Sequence, residues 1–464
     1  MKQIVSIALL GLELVGLTSL QAETKNKKPN IIFIFADDWG YGDLSCHGSS
    51  FVKTPNIDKM ASQGIDFANF QVNSPVSSPS RAAVMTGQFP ARQCIHQHFQ
   101  GVKAHIGRGM PDWLDVKGMS LPRELQKAGY ITGHFGKWHL GSETDMPTED
   151  QYGYNEYATF NGSGTIEIPK AGSVGVDYAE KFINNHKDQP FFINLWLHEA
   201  HLNHYPQERF MKQFSYLNEQ EQVYASIIAE GDESVGRIMN LLKKLNLDDN
   251  TLIVFSTDNG PEWVGTQDDK KKADGLGKYY SVGKTGGLKG QKRSLFAGGV
   301  QVPFIVRWPG VVPQGKKNTS SVITAVDLLP TFFEIAKIKA PKDYKLDGES
   351  VLAAFKGKNF KRTKPIFWEW KGGTSNDYTW PTLGVRYGDW KLVIDVTGNK
   401  KELYNVANDW YEKNDLAAKN PKKLNELLTM VEEWKASLPT APRENCLSIL
   451  RQSKVIPKAK NEDE

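Results

Sequence analysis

Short, uninterrupted apolar runs recur along the chain, and each ends at polar residues or glycine. The runs 31–35 and 252–256 consist almost entirely of β-branched, aromatic and leucine residues. Runs of this length and composition are typical of strands that are buried on both faces of a parallel sheet. Residues 191–197 and 304–306 fit the same description. The pattern therefore predicts a central sheet built from these segments.

Between the runs, apolar residues recur at helical spacing. The clearest example is 218–245, where Ile227 and Ile228 belong to one apolar face. Asn218 followed three residues later by Glu221 resembles a capping box, which predicts that the helix begins here. Strand, helix and strand in this order favour a mostly parallel α/β sheet with helices on both faces.

The pattern changes near the C-terminus. Residues 356–364 have the composition of a linker, and 365–370 and 382–393 read as short strands. Residues 422–438 have the spacing of an amphipathic helix. We therefore predict a smaller α+β domain with antiparallel strands after the larger α/β domain. The predicted boundaries are 23–360 for the large domain and 361–464 for the small one.

The first 22 residues have the pattern of a secretory signal. Lys2 precedes the apolar stretch 4–17, and small residues up to Ala22 supply a cleavage site, although Glu13 interrupts the stretch. The alternative is a membrane anchor, but a spanning helix needs about 20 apolar residues and this stretch is shorter. We predict a signal peptide over 1–22 and no span in the mature protein.

Composition excludes several classes of protein. Of 464 residues, 39% are hydrophobic and 24% charged, and the net charge is only +4. These values exclude a disordered chain, a coiled coil and a strongly basic nucleic-acid binder. Three cysteines are too few for a disulfide scaffold, so we expect them to be free and buried.

Polar side chains follow two of the predicted strands. Asp37 and Asp38 come directly after one run, and Asp258 and Asn259 follow another. In an open α/β sheet, ligands bind beyond the carboxyl ends of the strands. Four oxygen-bearing side chains without a cysteine suit Ca²⁺ or Mg²⁺. The alternative is that these residues only form turns and helix caps.

Cationic and imidazole side chains occur at similar places. Lys137 and His139 follow a further predicted strand, and His198 and His201 follow 191–197. Together with a metal ion, such groups would attract a tetrahedral oxyanion, phosphate or sulfate. Taken singly, each is equally explained as a solvated charge or a hydrogen-bonded histidine. The glycine- and lysine-rich segment 268–291 is predicted to be a loop of the type found at active sites.

Residues 73–87 pass from a serine- and proline-rich loop into a helix of small residues, with Ser77 near its start. A helix N-terminus is a natural anion site. A serine is nevertheless a poor nucleophile without a neighbouring base, and the chain has no Gly-x-Ser-x-Gly motif. The residues by themselves leave the chemistry of Ser77 open.

The motif Ser-Ser-Pro-Ser-Arg at 77–81, followed by Ala82-Ala83 and Thr86-Gly87, resembles the signature of type I sulfatases, relatives of alkaline phosphatase. In that family the first residue of the motif is oxidised to formylglycine. Other segments resemble the family in the same order along the chain, over roughly residues 28 to 415. They are 29–30, 37–43, 54–58, 136–139, 258–260, 303–304, 308–310, 384–386 and 402–405.

The resemblance implies a metal ion and a modified nucleophile. Calcium, less readily magnesium, would be held by Asp37, Asp38, Asp258 and Asn259, with formylglycine at position 77 beside it. One hydroxyl of the hydrated aldehyde would attack sulfur, and the resulting sulfate hemiester would expel sulfate and restore the aldehyde. The family places a sulfuric ester hydrolase on an alkaline-phosphatase-like α/β fold.

The resemblance also assigns the charged residues. Arg81 would orient the hydrated aldehyde, while Lys137 and Lys292 would bind sulfate oxygens. His201 would contact the sulfate or the leaving oxygen, and His139 would take the proton that lets the aldehyde reform. These roles agree with the need to neutralise sulfuryl oxygens and to protonate the leaving alcohol.

Two positions depart from the family pattern. Ala297 stands before the glycine pair where the family commonly has glutamate, and Lys289 competes with Lys292 for the second lysine role. Counting back from the glycines favours Lys292. His201 is chosen over the histidines three residues to either side because the family's His-x-Pro-His motif ends there, although Ala200 replaces the proline.

Serine at the modified position resembles the bacterial members that an anaerobic sulfatase-maturing enzyme activates, and with the signal this implies a periplasmic protein. Such enzymes act on sulfated glycans, among them galactose- or N-acetylgalactosamine-type, glycosaminoglycan, mucin and algal sugars. Candidate substrate-binding residues are Arg92, His96, His98 and His204, each of which has a purely structural role as its alternative. Two other functions remain open: a phosphatase or phosphonate hydrolase of the same superfamily, and a non-catalytic sulfated-glycan binder with unmodified Ser77.

Overall fold

A computed structural model describes residues 28–164, 166–168, 171–262, 279–372, 380–395 and 397–452. The predicted signal peptide and positions 268–278 of the predicted loop lie outside the described residues. Within these ranges, no helix combines the length and apolar character needed to cross a bilayer.

Strands and helices alternate along most of the chain. The strands are β1 (Asn30–Ala36), β2 (Ile65–Phe67), β3 (Phe70–Gln71), β4 (Ile131–Lys137), β5 (Glu156–Phe160), β6 (Phe191–Trp196), β7 (Thr251–Thr257), β8 (Phe304–Arg307), β9 (Lys316–Asn318), β10 (Ile323–Thr324), β11 (Ile366–Glu369), β12 (Leu383–Tyr387), β13 (Trp390–Ile394) and β14 (Lys401–Asn405). The helices are α1 (Pro55–Ser62), α2 (Ser77–Thr86), α3 (Val102–Arg108), α4 (Leu121–Lys127), α5 (Ala171–His186), α6 (Glu208–Met211), α7 (Glu219–Lys244), α8 (Ala297–Val300), α9 (Leu328–Ala336), α10 (Leu352–Phe355) and α11 (Pro421–Ala436).

The large sheet has eight strands in the order β5-β4-β6-β1-β7-β8-β2-β9. The five from β5 to β7 run parallel, whereas β8 is antiparallel to both β7 and β2. The four apolar runs form β1, β6, β7 and β8, as predicted. Every residue of β1 is buried, because both faces of the sheet are covered. The predicted mixed, mostly parallel α/β fold is confirmed.

The two faces of the sheet are covered by separate groups of helices. Alternate residues of β1 point to opposite faces, so that Phe33 and Phe35 join one core and Ile32 and Ile34 join the other. The second core includes the apolar faces of α5 and α7. Helix α7 begins as predicted, because the Asn218 side chain accepts a hydrogen bond of 3.0 Å from the backbone at the third helical residue.

A second, antiparallel sheet of β11 to β14 forms the C-terminal part of the chain, and α11 packs against it. Its buried side chains are continuous with the core on one face of the large sheet. The Trp368 indole joins the two parts directly by donating a hydrogen bond of 2.8 Å to the Val72 carbonyl. The exact domain boundaries remain predictions.

The three cysteines are free, as expected. Cys94 and Cys446 are buried, but Cys46 is exposed, so the prediction of burial is wrong for that residue. Cys46 belongs to a short helical turn at the surface rather than to a strand or helix that packs on the sheet.

Candidate active site

Acidic side chains meet at the carboxyl ends of β1 and β7. The two strands pair in parallel up to Ala36 and Thr257, so the residues that follow them, Asp37-Asp38 and Asp258-Asn259, come out side by side. All four are buried. The Asn259 amide donates a hydrogen bond of 2.6 Å to Asp38 Oδ1. The strand ends thus bring together the four predicted metal ligands.

Each of the three carboxylates faces one buried cation, so that the local charges balance. The lysine at the end of β4 reaches the first carboxylate, because β4 lies next to β6 and β6 next to β1. The pairs are Lys137 Nζ with Asp37 Oδ2 at 2.7 Å, Lys292 Nζ with Asp38 Oδ2 at 2.6 Å, and Arg81 Nη2 with Asp258 Oδ2 at 2.6 Å.

Ser77 is the first residue of α2 and lies beside these carboxylates, as predicted. Its hydroxyl is 3.3 Å from Asp37 Oδ1 and 3.5 Å from Asn259 Oδ1. All ten residues of α2 are buried, because the helix consists mainly of small side chains that let it pack closely. The packing fixes Ser77 at the helix N-terminus, where the helix dipole favours negative charge.

Arg81 follows one turn later on α2 and is fully buried. Its guanidinium carbon lies 4.9 Å from the Trp196 ring centre and 5.5 Å from that of Phe35. Among the described residues, its Nε and Nη1 have no hydrogen-bond partner. Arg81 is therefore held rigidly and retains donors for oxygen atoms of a ligand.

Two of the candidate histidines lie beside the carboxylates. Ligand atoms of His201, Asp37 and Asp38 lie within 4.8 Å of one another, and His198 Nδ1 is 3.7 Å from Asp37 Oδ2. His204 instead donates from Nε2 to a backbone carbonyl at 2.9 Å. Burial lowers the pKa of all three imidazoles, that of His204 to about 4.

His139 and His98 form a neighbouring pair of rings, with centres 6.1 Å apart. His139 has a left-handed backbone conformation (φ 55°), and its Nε2 donates to the Phe99 carbonyl at 3.2 Å. The Phe99 amide in turn donates to the Ser78 hydroxyl at 3.1 Å. The segment that carries His98 is thereby connected to the first turn of α2.

The other two proposed substrate contacts lie elsewhere. Arg92 Nε pairs with Asp347 Oδ2 at 2.8 Å. The Arg92 side chain lines a cavity of about 400 Å³ beyond the C-terminal end of α2, whereas Ser77 is at the N-terminal end of this helix. His96 Nδ1 lies 2.6 Å from Glu369 Oε1, at the end of β11. The structure does not bring these two residues into the group around Ser77.

The two candidate lysines have different surroundings. Lys289 is 2.8 Å from Glu402 Oε2 and is thereby engaged with the C-terminal sheet. Lys292 instead reaches Asp38, as the spacing to the glycine pair predicts. Of the two, only Lys292 belongs to the group around Ser77.

Sequence reasoning missed one glutamate of this group. Glu262 Oε2 lies 3.7 Å from Lys292 Nζ, and Arg293 also pairs with it. Its place four residues after Asp258, in the same strand-end loop, was an available signal. A second missed glutamate, Glu412, comes from the C-terminal part: it accepts a hydrogen bond of 2.6 Å from the Ala297 amide and pairs with Lys391 at 2.6 Å.

Burial disfavours the negative charge of these three carboxylates. Burial, with the adjacent charge of Asp37, raises the pKa of Asp258 to about 7, and burial also raises the pKa of Asp38 although Lys292 opposes it. For Asp37 the effect of burial is outweighed, mainly by Lys137, and its pKa lies well below the usual value. A cation among these oxygens would stabilise all three anions, and an all-oxygen donor set fits a hard divalent ion.

Family models and known relatives match most of the chain. The family model described as Sulfatase matches residues 29–338, and the one described as N-sulphoglucosamine sulphohydrolase, C-terminal, matches residues 289–436. The N-acetylgalactosamine-6-O-sulfatase of Bacteroides thetaiotaomicron is 28% identical, over 88% of this chain and 94% of its own length. Human arylsulfatase A is 29% identical, over 69% of this chain and 66% of its own length.

Solved structures show the same architecture. The crystal structure of Ps i-CgsB in complex with k-i-k-neocarrahexaose has a TM-score of 0.75 and 28% identity, covering 90% of this chain and 96% of that one. The sulfatase match extends over well more than half of the 464 residues and contains the acidic strand ends, Ser77 and the paired cations. The chain therefore belongs to the sulfatase family and is a sulfuric ester hydrolase.

Proposed function

We propose that this protein removes O-sulfate groups from sulfated carbohydrate, with calcium and with a formylglycine formed from Ser77. The observation that carries the proposal is the position of the Ser77 hydroxyl, 3.3 Å from Asp37 and surrounded by three buried carboxylate–cation pairs. A sulfate ester is anionic at its sulfuryl oxygens, so its cleavage needs positive charge around those oxygens and a nucleophile placed to attack sulfur.

Unmodified serine is a poor fit to this role. Its closest contact is the Asp37 carboxylate, whose pKa is held well below the usual value, so Asp37 is a weak base. A hydrated aldehyde at the same carbon supplies two hydroxyls. One attacks sulfur as the alcohol departs, and loss of the proton from the other expels sulfate and restores the aldehyde.

The charged residues have separate tasks in this scheme. Lys137 and Lys292 neutralise sulfuryl oxygens, and the spare donors of Arg81 orient the hydroxyls at position 77. His201 contacts the sulfate or the departing oxygen, because its ligand atom lies within 4.8 Å of those of Asp37 and Asp38. His139 accepts the proton released when the aldehyde reforms.

Calcium is the metal that the donor set favours. The ligands would be Asp37, Asp38, Asp258 and Asn259, which offer only carboxylate and amide oxygens. The ion supplies positive charge opposite the sulfuryl oxygens. Metal analysis of purified protein should find calcium, and removal by a chelator should lower the melting temperature, which added Ca²⁺ restores. Stoichiometric zinc without calcium would contradict the ligand assignment.

Sulfated galacto-configured sugars are the proposed substrate class. Two similar proteins support it: an N-acetylgalactosamine-6-O-sulfatase and a structure in complex with k-i-k-neocarrahexaose. The signal-like N-terminus supports export to the periplasm. His98 is proposed to contact the sugar because its ring lies beside that of His139, and His204 because it follows His201 in the same loop. Arg92 loses support because it pairs with Asp347 beyond the other end of α2.

The oxidation of Ser77 must take place before α2 packs into the fold. Because every residue of α2 is buried, the anaerobic sulfatase-maturing enzyme that we propose as a partner can bind 77–86 only before the helix packs. Protein made without that partner should therefore fold but contain ordinary serine.

Mass spectrometry combined with activity measurement tests the proposal. In protein from a host with the maturing enzyme, the peptide that contains Ser77 should be lighter by two hydrogens and the protein should release sulfate. Ser77→Cys should be active in hosts that mature cysteine, whereas Ser77→Ala should be inactive in every host. Full activity with unmodified serine would refute the formylglycine mechanism, and faster hydrolysis of an aryl phosphate than of the matching aryl sulfate would refute the reaction class.

A further inference from the structure

A cavity of about 420 Å³ lies against the loop that leads to Lys292. Its walls come from the segment after β1 and from the glycine-rich segment 283–291. Gln291 lines the cavity, and its chain neighbour Lys292 contacts Asp38 at 2.6 Å. Since neighbouring Cα atoms are about 3.8 Å apart, one loop separates this cavity from the charged site.

Glycines form one wall of the cavity, so no side chain covers the backbone there. Gly286, Gly287 and Gly290 all have left-handed conformations, with φ of 69°, 85° and 76°. The wall is fixed from behind, because the Gly42 amide donates to the Lys284 carbonyl at 2.9 Å. A Cβ at Gly42 would lie only 2.4 Å from the Gly286 nitrogen. The cavity is thus preformed and not a gap left by a loose loop.

An exposed aromatic ring stands beside this glycine wall. Tyr411 is 42% exposed, and a Cβ on Gly287 would lie 3.3 Å from its ring. Its neighbour Trp410 packs edge-on against Tyr41 at 6.0 Å, and Tyr41 stacks on His47, which lines the cavity, at 4.1 Å. The Lys413 ammonium lies 5.0 Å from the centre of the Tyr411 ring, and the exposed part of this ring stands next to polar backbone, a combination that a sugar ring matches.

The charge of the cavity favours an anionic ligand. Lys284 is exposed and lines the cavity, and its ammonium group lies 5.9 Å from the centre of the Phe51 ring. The hydroxyls of Ser49 and Ser50 add hydrogen-bonding groups on the facing wall. A sulfate ester on a sugar would place its negative charge near Lys284 while the ring contacts Tyr411.

We propose that this cavity is a second carbohydrate-binding site, which holds a sulfated sugar of the polymeric substrate away from the ester being cleaved. The inference rests on the proposed function, in that its ligand is the proposed substrate. It adds that the enzyme prefers sulfated oligosaccharides to sulfated monosaccharides, because only a chain can contact both sites.

Paired substrates of different length test the second site. Wild-type protein, Tyr411→Ala and Lys284→Ala should be assayed on a sulfated monosaccharide and on sulfated galactan and chondroitin hexasaccharides. We expect KM for a hexasaccharide substrate to rise about tenfold in both variants, with kcat and the monosaccharide kinetics unchanged. Tyr411→Phe should keep wild-type KM, since it retains the ring face. Tyr216→Ala, which removes an even more exposed ring (68%) from outside the cavity, should change nothing.

Binding measurements separate this proposal from the proposed function. Calorimetric titration of the same hexasaccharides into Ser77→Ala protein requires no turnover, so it reports on the second site even if the sulfatase mechanism is wrong. Tighter binding of a hexasaccharide than of the monosaccharide, weakened by adding Tyr411→Ala, supports the site. Equal binding of both ligands, or binding that Tyr411→Ala leaves unchanged, overturns it.

Discussion

In the described part of the chain, two groups of acidic and histidine side chains are close enough to hold a cation. They differ in which protein groups form hydrogen bonds and ion pairs with their ligand atoms. One is Asp37, Asp38 and His201, and the other is His105, Asp112 and Glu143. The first lies at the carboxyl ends of parallel strands beside Ser77. The second lies between α3 and the C-terminal segment 446–452.

In the second group the ligand atoms are already used by the protein. His105 Nε2 accepts hydrogen bonds from the Gln100 and Gly101 amides at 2.8 and 3.1 Å, so its proton is on Nδ1 and points to Asp112. Asp112 also pairs with Arg451 at 2.5 Å. This group fastens the C-terminal segment and leaves neither His105 nor Asp112 free for a ligand.

In the first group the carboxylates are satisfied mainly by cations, and those cations keep donors for an incoming anion, as the unpartnered Nε and Nη1 of Arg81 show. A metal ion held by Asp37, Asp38 and Asp258 would supply positive charge to these carboxylates and would leave the ammonium groups of Lys137 and Lys292 to interact with an anion. The two groups have similar residue types. What distinguishes a functional acidic cluster from a structural one is which atoms the neighbouring residues leave available to a ligand.

The largest expected effect is on stability, at the second group. Asp112→Ala removes one partner of a buried ion pair and should lower the free energy of unfolding by about 3 kcal/mol. Urea denaturation measures this loss. The specific activity of the remaining folded protein should stay within about twofold of wild type, because neither His105 nor Asp112 contacts Ser77, its carboxylates or their paired cations. A loss of activity without a loss of stability would make this group functional and break the comparison.

The next effect is on catalysis, at the first group. Lys137→Ala and Lys292→Ala should each lower kcat/KM by about 10²-fold or more, the scale of losing one preorganised donor. Each also removes one partner of a buried ion pair and should lower the urea midpoint, so kcat/KM is measured per folded protein. Lys289→Ala is the matched control, since Lys289 is engaged by Glu402. Near-wild-type activity for Lys292→Ala together with inactivity for Lys289→Ala would show that Lys289, and not Lys292, binds the sulfate oxygens.

The smallest effect is the pH dependence of stability at the second group. Burial lowers the pKa of His105, so below about pH 6.5 the unfolded chain binds a proton that the folded chain does not. Stability should therefore fall as the pH falls, by at most about 1.4 kcal/mol per pH unit from this residue. Urea denaturation at pH 7.5 and 5.5 should show a smaller difference for His105→Gln than for wild type. An equal difference in both proteins would show that His105 does not contribute.

Sequence patterns predicted those parts of the site that depend on local order and strand direction. Asp37 and Asp258 could be expected to meet because each follows a buried strand, and parallel neighbours end at the same edge. Ser77 could be placed at a helix start because the chain changes there from serine and proline to small helix-forming residues. His201 required the family resemblance, because three histidines at spacings of three residues are indistinguishable by pattern.

Contacts between distant segments escaped prediction. The neighbourhood of Arg92 in sequence suggested that it lies near Ser77, but the length of α2 separates the two, and Asp347 from another part of the chain binds it. Glu412 reaches Ala297 from 115 residues away, which no local pattern indicates. The cavity beside Lys292 likewise forms only where the loop after β1 packs on the glycine-rich segment.

The sequence by itself determined the α/β class, the start of α2 at Ser77 and the set of oxygen ligands, because these follow from hydrophobic periodicity and from residues adjacent to strand ends. Tertiary structure alone decided which cation pairs with which carboxylate, which acidic cluster stays available to a ligand, and where the loop after β1 and the glycine-rich segment enclose a cavity. The reason is physical: periodicity is a property of neighbouring residues, whereas charge pairing and cavity shape depend on distances between segments that the chain brings together only on folding.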